Sequence, residues 1–271
     1  MGNARIHSIG IIGGGNMGEA LLSGILKKRL VPKSRLSVSE PLASRRKAIR
    51  RRYAVFVTDD NRKAVSRSDI FILAVKPQQM ERVLSEISPL AGKAFVISIA
   101  AGIRLSRIEK QLGKVPMVRV MPNLAAAVGE AISALTQNRF CTPKHRAIAE
   151  RIFQSVGETF WIEEKRFDAV TAVSGSGPAY VAYFIQALRE GAGSIGISKT
   201  LSLRLVEATF QGSLSYLSKK KVDPEYFIQK VASKGGTTEV ALKVFRKRRL
   251  SQTVALALRR AAERSRQLSK G

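Results

Sequence analysis

Residues 8–18 read Ser-Ile-Gly-Ile-Ile-Gly-Gly-Gly-Asn-Met-Gly. An apolar run ends at Ile12, glycines follow at once, and from Asn16 a helical pattern continues to about Lys28. Gly13, Gly15 and Gly18 fill the three glycine positions of G-x-G-x-x-G, the turn between the first strand and helix of a dinucleotide-binding βαβ unit. The first glycine permits the tight turn, the second lets backbone approach a pyrophosphate, and the third lets helix pack on strand. N–H groups at the helix start then face the phosphates. Ile12, Gly13, Gly14, Gly15, Asn16, Met17 and Gly18 are thus candidates to bind NADPH or NADH.

Outward from this turn, short β-rich runs alternate with helical stretches, the signature of a doubly wound parallel sheet. Strands are expected at 36–38, 55–57, 70–75, 95–99, 117–120, 131–135 and 159–162, with helices at 43–52 and 144–156. Residues 70–75 are almost wholly apolar, as a central strand covered on both faces should be. After Glu164 the texture changes to long helices, expected near 178–195, 199–219, 224–232, 238–246 and 251–268. Pro178 and Pro224 suit first-turn positions. Ala182, Ala187, Gly191, Ala192 and Gly212 are small enough to let other helices come close. The expected architecture is α/β: an N-terminal Rossmann-type dinucleotide-binding domain, 1–164, and an all-α domain, 165–271. The helical domain is small and apolar, which points to dimerisation.

The 271 residues can bury a sizeable core. No run approaches the roughly 18 apolar residues of a spanning helix, and because the N-terminus runs directly into a strand pattern a signal peptide is not expected. Met1-Gly2 does not read as an acylation signal, because Ile6 stands where Ser or Thr is required. Cys141 is the sole cysteine, and His7 and His145 are the only histidines. An internal disulfide and a metal centre are therefore not expected, and the reducing cytoplasm is the expected compartment. The net charge of +27 comes in runs, at 45–52, 219–221 and 246–249. Such charge attracts nucleic acid, anionic membrane or acidic metabolites, or simply forms solvated faces.

Glu40 lies where an acidic residue meets the ribose hydroxyls, which favours NADH, since a carboxylate repels a 2′-phosphate. Arg45 and Arg46 point the other way, as residues able to clasp that phosphate. Charge alone leaves the choice open. Ala74-Val75-Lys76-Pro77 ends the central strand at the edge where such sheets bind ligands. Ile99, Ala100 and Ala101 end the next strand with space for a flat ring. Both segments are expected as nicotinamide-pocket walls.

In the second half, Ser174-Gly175-Ser176-Gly177-Pro178 and Ala232-Ser233-Lys234-Gly235-Gly236-Thr237-Thr238 each precede a helix. Consecutive N–H groups from Gly235 to Thr238 would form a nest for a carboxylate. The alternative is an ordinary helix cap in which Thr237 or Thr238 binds its own backbone.

These blocks, with Val118-Arg119-Val120-Met121-Pro122-Asn123, Val128-Gly129-Glu130 and Asp168-Ala169-Val170-Thr171, resemble the pyrroline-5-carboxylate reductase family over nearly the whole chain. The resemblance implies a Rossmann domain and a helical domain that interlocks with a second subunit, often within a decamer of five dimers. It implies hydride transfer from NAD(P)H to 1-pyrroline-5-carboxylate, giving L-proline. It also implies that Ser233, Gly235, Gly236, Thr237 and Thr238 hold the substrate, with Thr238 meeting the ring nitrogen as the catalytic hydroxyl. Asn61 matches a cofactor-contacting asparagine, and Glu164 a substrate-side residue. A protonated cyclic imine already accepts hydride, so positioning and one hydrogen bond suffice without a His–Asp dyad or metal.

Three positions depart from the family pattern. Leu124-Ala125 replace Thr-Pro, Lys234 replaces the proline before Gly-Gly, and Arg246-Lys247-Arg248-Arg249 replaces a glycine-containing turn. Two rival readings go with them. One is a reductase of another cyclic imine or a 2-oxo acid. The other is a non-catalytic relative with a basic nucleic-acid face, against which stands the lack of a stacking set of aromatics, so no specific nucleic-acid or membrane partner is expected.

Overall fold

A computed structural model describes residues 5–92 and 94–268, so Met1 and Gly2, read above for acylation, lie outside the described residues. Two compact units make up the chain: one runs to Ser176 and includes the chain from Ala261 onward, the other is Gly177–Arg260.

The first unit holds β1 (Ile9–Ile12), α1 (Asn16–Lys27), β2 (Leu36–Ser39), α2 (Ala43–Tyr53), β3 (Phe56–Thr58), α3 (Asn61–Val65) and β4 (Ile70–Leu73). It continues with α4 (Met80–Ile87), β5 (Phe95–Ser98), α5 (Leu105–Leu112), β6 (Met117–Met121), β7 (Ala131–Gln137), α6 (Pro143–Phe153), β8 (Gly157–Trp161) and α7 (Phe167–Val170). The eight strands form one sheet in the order β3-β2-β1-β4-β5-β6-β7-β8. The strands beside β1 are therefore β2 and β4, and the order reverses there, the position at which doubly wound sheets bind ligands.

The pleat explains why both faces are covered. Ile11 and Ile72 enter one apolar cluster with Leu21, Ile25 and Phe153, while their neighbours Ile12, Phe71 and Leu73 enter another with Met80, Leu84 and Ile108. Successive side chains point to opposite faces, so an unbroken apolar strand anchors helices on both. Each such fully buried side chain stabilises the unit by about 1.5–3 kcal/mol.

One pairing departs from the parallel sheet expected from the sequence: β6 and β7 run antiparallel, Val120 opposite Leu135. Residues 122–130 connect them, and a parallel crossover takes a dozen or more residues. The sheet ends with β8 at Trp161, before the expected boundary at residue 164. The compact unit continues to Ser176, where buried Phe167 packs its ring under Arg119 at 4.7 Å and Asp168 accepts a 2.6 Å hydrogen bond from Ser265.

The second unit contains α8 (Gly177–Ser194), α9 (Lys199–Lys220), α10 (Pro224–Val231), α11 (Thr237–Lys247) and the first part of α12 (Leu250–Leu268). Ser198 and Asp223 cap α9 and α10, and Tyr216 stacks on Phe227 with ring centroids 4.9 Å apart. Val181, Tyr183, Leu205, Leu214, Val240 and Leu256 are exposed within this unit. No helix among the described residues is long and apolar enough to cross a membrane.

Candidate active site

Residues from four parallel strands meet at one edge of the sheet in the first unit. Ile12 is fully buried at the end of β1, and the Gly13 N–H donates to the Ser39 carbonyl at 2.8 Å, tying the turn to β2. Gly13 has φ +107°, and a Cβ there would lie 2.6 Å from the Ala74 carbonyl oxygen. At Gly18 a Cβ would lie 2.0 Å from the Gly13 oxygen, so α1 seats directly on the turn. Around the position of a Cβ on Gly15, by contrast, nothing lies within 4 Å. The N–H groups of Gly15, Asn16 and Met17 have no acceptor among the described residues. Open space beside unpartnered N–H groups at a helix start is what a pyrophosphate requires, so the turn fits the cofactor.

The walls also converge here. The Ala74 N–H donates to Ile12 at 2.8 Å and that of Ile99 to Leu73 at 3.0 Å, which places Val75, Lys76 and Pro77 beside Ala100 and Ala101 at the same edge. A cavity of about 140 Å³ opens between Gly13, Ser39, Asn61, Val75 and Glu86. Asn61 accepts from Ser39 Oγ at 2.6 Å and donates to Glu86 at 2.6 Å. Arg82, hydrogen-bonded to Glu86, holds that carboxyl below the ordinary carboxylate value; partial burial opposes this and Asn61 adds to it. Ser39 and Glu86 were not among the sequence candidates. Both fix the amide of Asn61 in one orientation.

Glu40 departs from expectation. Its carboxylate is buried and accepts the N–H groups of Gly14 at 3.0 Å and Leu42 at 2.9 Å, so it is turned toward its own backbone. Arg45 pairs with Glu19 at 2.9 Å and Arg46 with Asp59 at 3.2 Å. Arg52 also reaches Glu19, and Arg50 donates to the Val57 carbonyl. Much of the basic run 45–52 is thus tied to neighbouring carboxylates and carbonyls.

Glu164 likewise serves the first unit. Its Oε1 accepts the Leu105 N–H at 2.8 Å and Arg119 at 3.0 Å. Arg119 is 3% exposed, and burial pushes its pKa down while Glu164 opposes the shift. Asn123 donates to Ser174 at 3.4 Å, which joins two of the sequence blocks, and its Oδ1 is buried without a partner in the structure.

In the second unit, the loop before α11 lacks the threonine cap that the sequence offered as one alternative. The cap residue is Gly236, and no side chain caps the helix. Neither threonine hydroxyl has a partner among the described residues, and the N–H groups of Thr237, Thr238 and Glu239 have no acceptor. Gly235 has φ +73°, and the Gly236 N–H donates to the Ser233 carbonyl at 3.0 Å. Glu239, which the sequence reading passed over, accepts the Gly235 N–H at 2.6 Å and pairs with Lys243 at 2.8 Å. A glutamate at the third helical position can reach back to the loop before the helix, which is the signal that was available.

Comparison with known proteins shows the family. Residues 164–268 match the family model described as pyrroline-5-carboxylate reductase dimerisation, and residues 8–102 the one described as NADP oxidoreductase, coenzyme F420-dependent. A pyrroline-5-carboxylate reductase from Synechocystis is 37% identical, over 97% of this chain and 98% of that protein. Among solved structures, a pyrroline-5-carboxylate reductase from Coxiella burnetii superposes with a TM-score of 0.90 at 32% identity, covering 98% of this chain and 100% of that one. The Plasmodium falciparum pyrroline carboxylate reductase with NADP bound gives 0.89 at 30% identity, covering 99% and 100%.

Proposed function

Because this chain belongs to the pyrroline-5-carboxylate reductase family and reduces 1-pyrroline-5-carboxylate to L-proline with NAD(P)H, we propose a division of labour among its residues. The turn Ile12 to Gly18, with Asn61, Ala74 to Pro77 and Ile99 to Ala101, holds the cofactor. The loop Ser233 to Thr238 holds the substrate. Bound NAD(P)H supplies the hydride that reduces the carbon–nitrogen double bond.

The observation that carries the substrate assignment is the set of three free N–H groups at Thr237, Thr238 and Glu239 beside two free hydroxyls. Successive N–H groups at a helix start bind a carboxylate. The Thr238 hydroxyl, unoccupied by its own backbone, orients the ring nitrogen and shares its proton, the one polar contact this chemistry needs. Lys234 is exposed beside the loop and adds attraction for the acid. Glu239 stiffens the loop through Gly235, and Lys243 offsets its charge.

The dimerisation family match begins at residue 164, which supports a dinucleotide-binding part ending there and a helical part serving dimerisation, although the compact sheet unit itself extends to Ser176 and takes back the chain from Ala261 onward. The exposed apolar residues of Gly177–Arg260 support assembly as a homo-oligomer, a dimer repeated five times in a decamer; the proposed compartment is the cytoplasm. The test is steady-state reduction of 1-pyrroline-5-carboxylate with NADH and NADPH in parallel, against its six-membered homologue and a thiazoline carboxylate. The proposal requires the highest kcat/KM with 1-pyrroline-5-carboxylate; a higher value for another acid would reassign the loop's substrate.

A further inference from the structure

Glu40 stands at the carboxyl end of β2, where an acidic side chain ordinarily reads the cofactor's ribose. Here it is 7% exposed, and both oxygens are taken by backbone: Oε2 by the Gly14 N–H at 3.0 Å and Oε1 by the Leu42 N–H at 2.9 Å. The other end of Gly14 is held as well. Arg45 donates to its carbonyl at 2.6 Å and is itself steadied by Glu19 at 2.9 Å. A Cβ on Gly14 would lie 2.6 Å from Ile49 Cδ1 and 3.1 Å from Glu40 Cβ, so the glycine is seated against α2. Arg46 spends its donors on the carbonyls of Glu40 and Pro41 and on Asp59.

We propose that Glu40 and Arg45 are positioning residues that clamp the Gly14 peptide, and that neither reads the 2′ position of the cofactor ribose. The inference rests on the turn being the pyrophosphate seat. Directly after the clamped residue come Gly15, Asn16 and Met17, whose N–H groups have no acceptor among the described residues. Holding the preceding peptide by its N–H and its carbonyl fixes the direction of these three donors before any ligand arrives, which lowers the ordering cost of binding. Each Glu40 oxygen already accepts one backbone N–H and the side chain is 7% exposed, so little of the carboxylate is presented to a ribose hydroxyl. To reach a 2′-phosphate, Arg45 would have to release Gly14 and Glu19. The charges that would discriminate NADH from NADPH are consumed in building the turn. Loss of either residue therefore weakens both nucleotides alike.

The test is calorimetric titration of the full-length protein with NADH and with NADPH for the unsubstituted chain, Glu40→Gln, Glu40→Ala and Arg45→Met. Thermal melts and kcat at saturating cofactor accompany the titrations. The expected result is a rise in Kd of about tenfold for both nucleotides. The NADH to NADPH ratio stays within about fivefold of the original, and kcat changes by less than about threefold. A ratio shifted further toward NADPH on loss of Glu40, or away from it on loss of Arg45, would overturn the clamp in favour of ribose reading; unchanged Kd values would overturn it too. Arg45 is partly exposed, so Arg45→Met keeps the test alive should Glu40→Ala not fold. Gly15→Ala is the control for the underlying reading: it must weaken both nucleotides, and failure there would fault the seat itself, not the clamp.

Discussion

Replacing Glu164 by alanine separates a structural carboxylate from a substrate-binding one. The change removes the acceptor of the Leu105 N–H and the ion partner of Arg119. Arg119 is 3% exposed and lies against the Phe167 ring, so its guanidinium cannot turn to solvent in place. Stranding one member of a buried pair costs about 3–5 kcal/mol. The Glu164 side chain is 30% exposed, so water enters the vacated space and the lower end applies. The lost helix-start bond adds about 1 kcal/mol. A total near 4 kcal/mol lowers the melting temperature by about 8–16 °C for a unit of this size.

Differential scanning fluorimetry measures this directly, with KM for 1-pyrroline-5-carboxylate determined on the same preparation well below the melting range. The double variant Arg119→Met with Glu164→Leu removes both charges at similar volume and recovers at least about half of the loss, because no charge is left stranded. An unaltered melting temperature together with a selective rise in substrate KM would refute the reasoning and give Glu164 to the substrate.

Two further perturbations follow from the same geometry. Gly18→Ala puts a Cβ 2.0 Å from the Gly13 oxygen and should lose cofactor binding and stability together; Gly15→Ala meets nothing within 4 Å and should melt normally while cofactor KM rises. Equal melting temperatures for the two would contradict the packing. Burial, helped by Lys144, depresses the His145 pKa, and its Nδ1 accepts the Thr142 N–H at 3.0 Å at the start of α6. The neutral ring is the form that caps, so the unfolded chain binds the extra proton first. Stability is complete above the unfolded value of 6.5 and is lost as pH falls from there toward the lower folded value. His145→Gln, whose amide oxygen caps without titrating, should flatten the urea-midpoint profile between about pH 7.5 and 5.5; a profile identical to the unsubstituted protein's would contradict the assignment.

How much of this was legible depends on whether a feature is local. The apolar run at 70–73 and the glycine spacing at 13, 15 and 18 carry their own meaning, and β4 and the turn formed where they were expected. The helix α4 buries Met80, Val83, Leu84 and Ile87 at helical spacing, a periodic signal that the sequence reading passed over. Strand direction is different. The antiparallel β7 follows from the length of its connection, not from its composition. Charged residues were the hardest to read, because position in the chain gives reach but not orientation. Glu40 stands at the expected strand end, yet its carboxylate satisfies amides made available by the turn it was expected to serve. Glu164 finds Arg119 far back in the sequence, a pairing no local pattern encodes. For Thr237 and Thr238 the sequence left cap and nest balanced, and only the structure shows that Gly236 caps α11 without a side chain.

In the proposed reaction the Thr238 hydroxyl is the one side-chain group that meets the ring nitrogen. The most direct measurement is kcat/KM for 1-pyrroline-5-carboxylate with Thr238→Ala, with Thr238→Ser alongside and NADPH affinity determined for each. The account predicts a loss of about ten- to a hundredfold in Thr238→Ala, substantial recovery in Thr238→Ser, and NADPH affinity unchanged in both. Unaltered kcat/KM in Thr238→Ala would contradict it and remove the loop's hydroxyl from the chemistry.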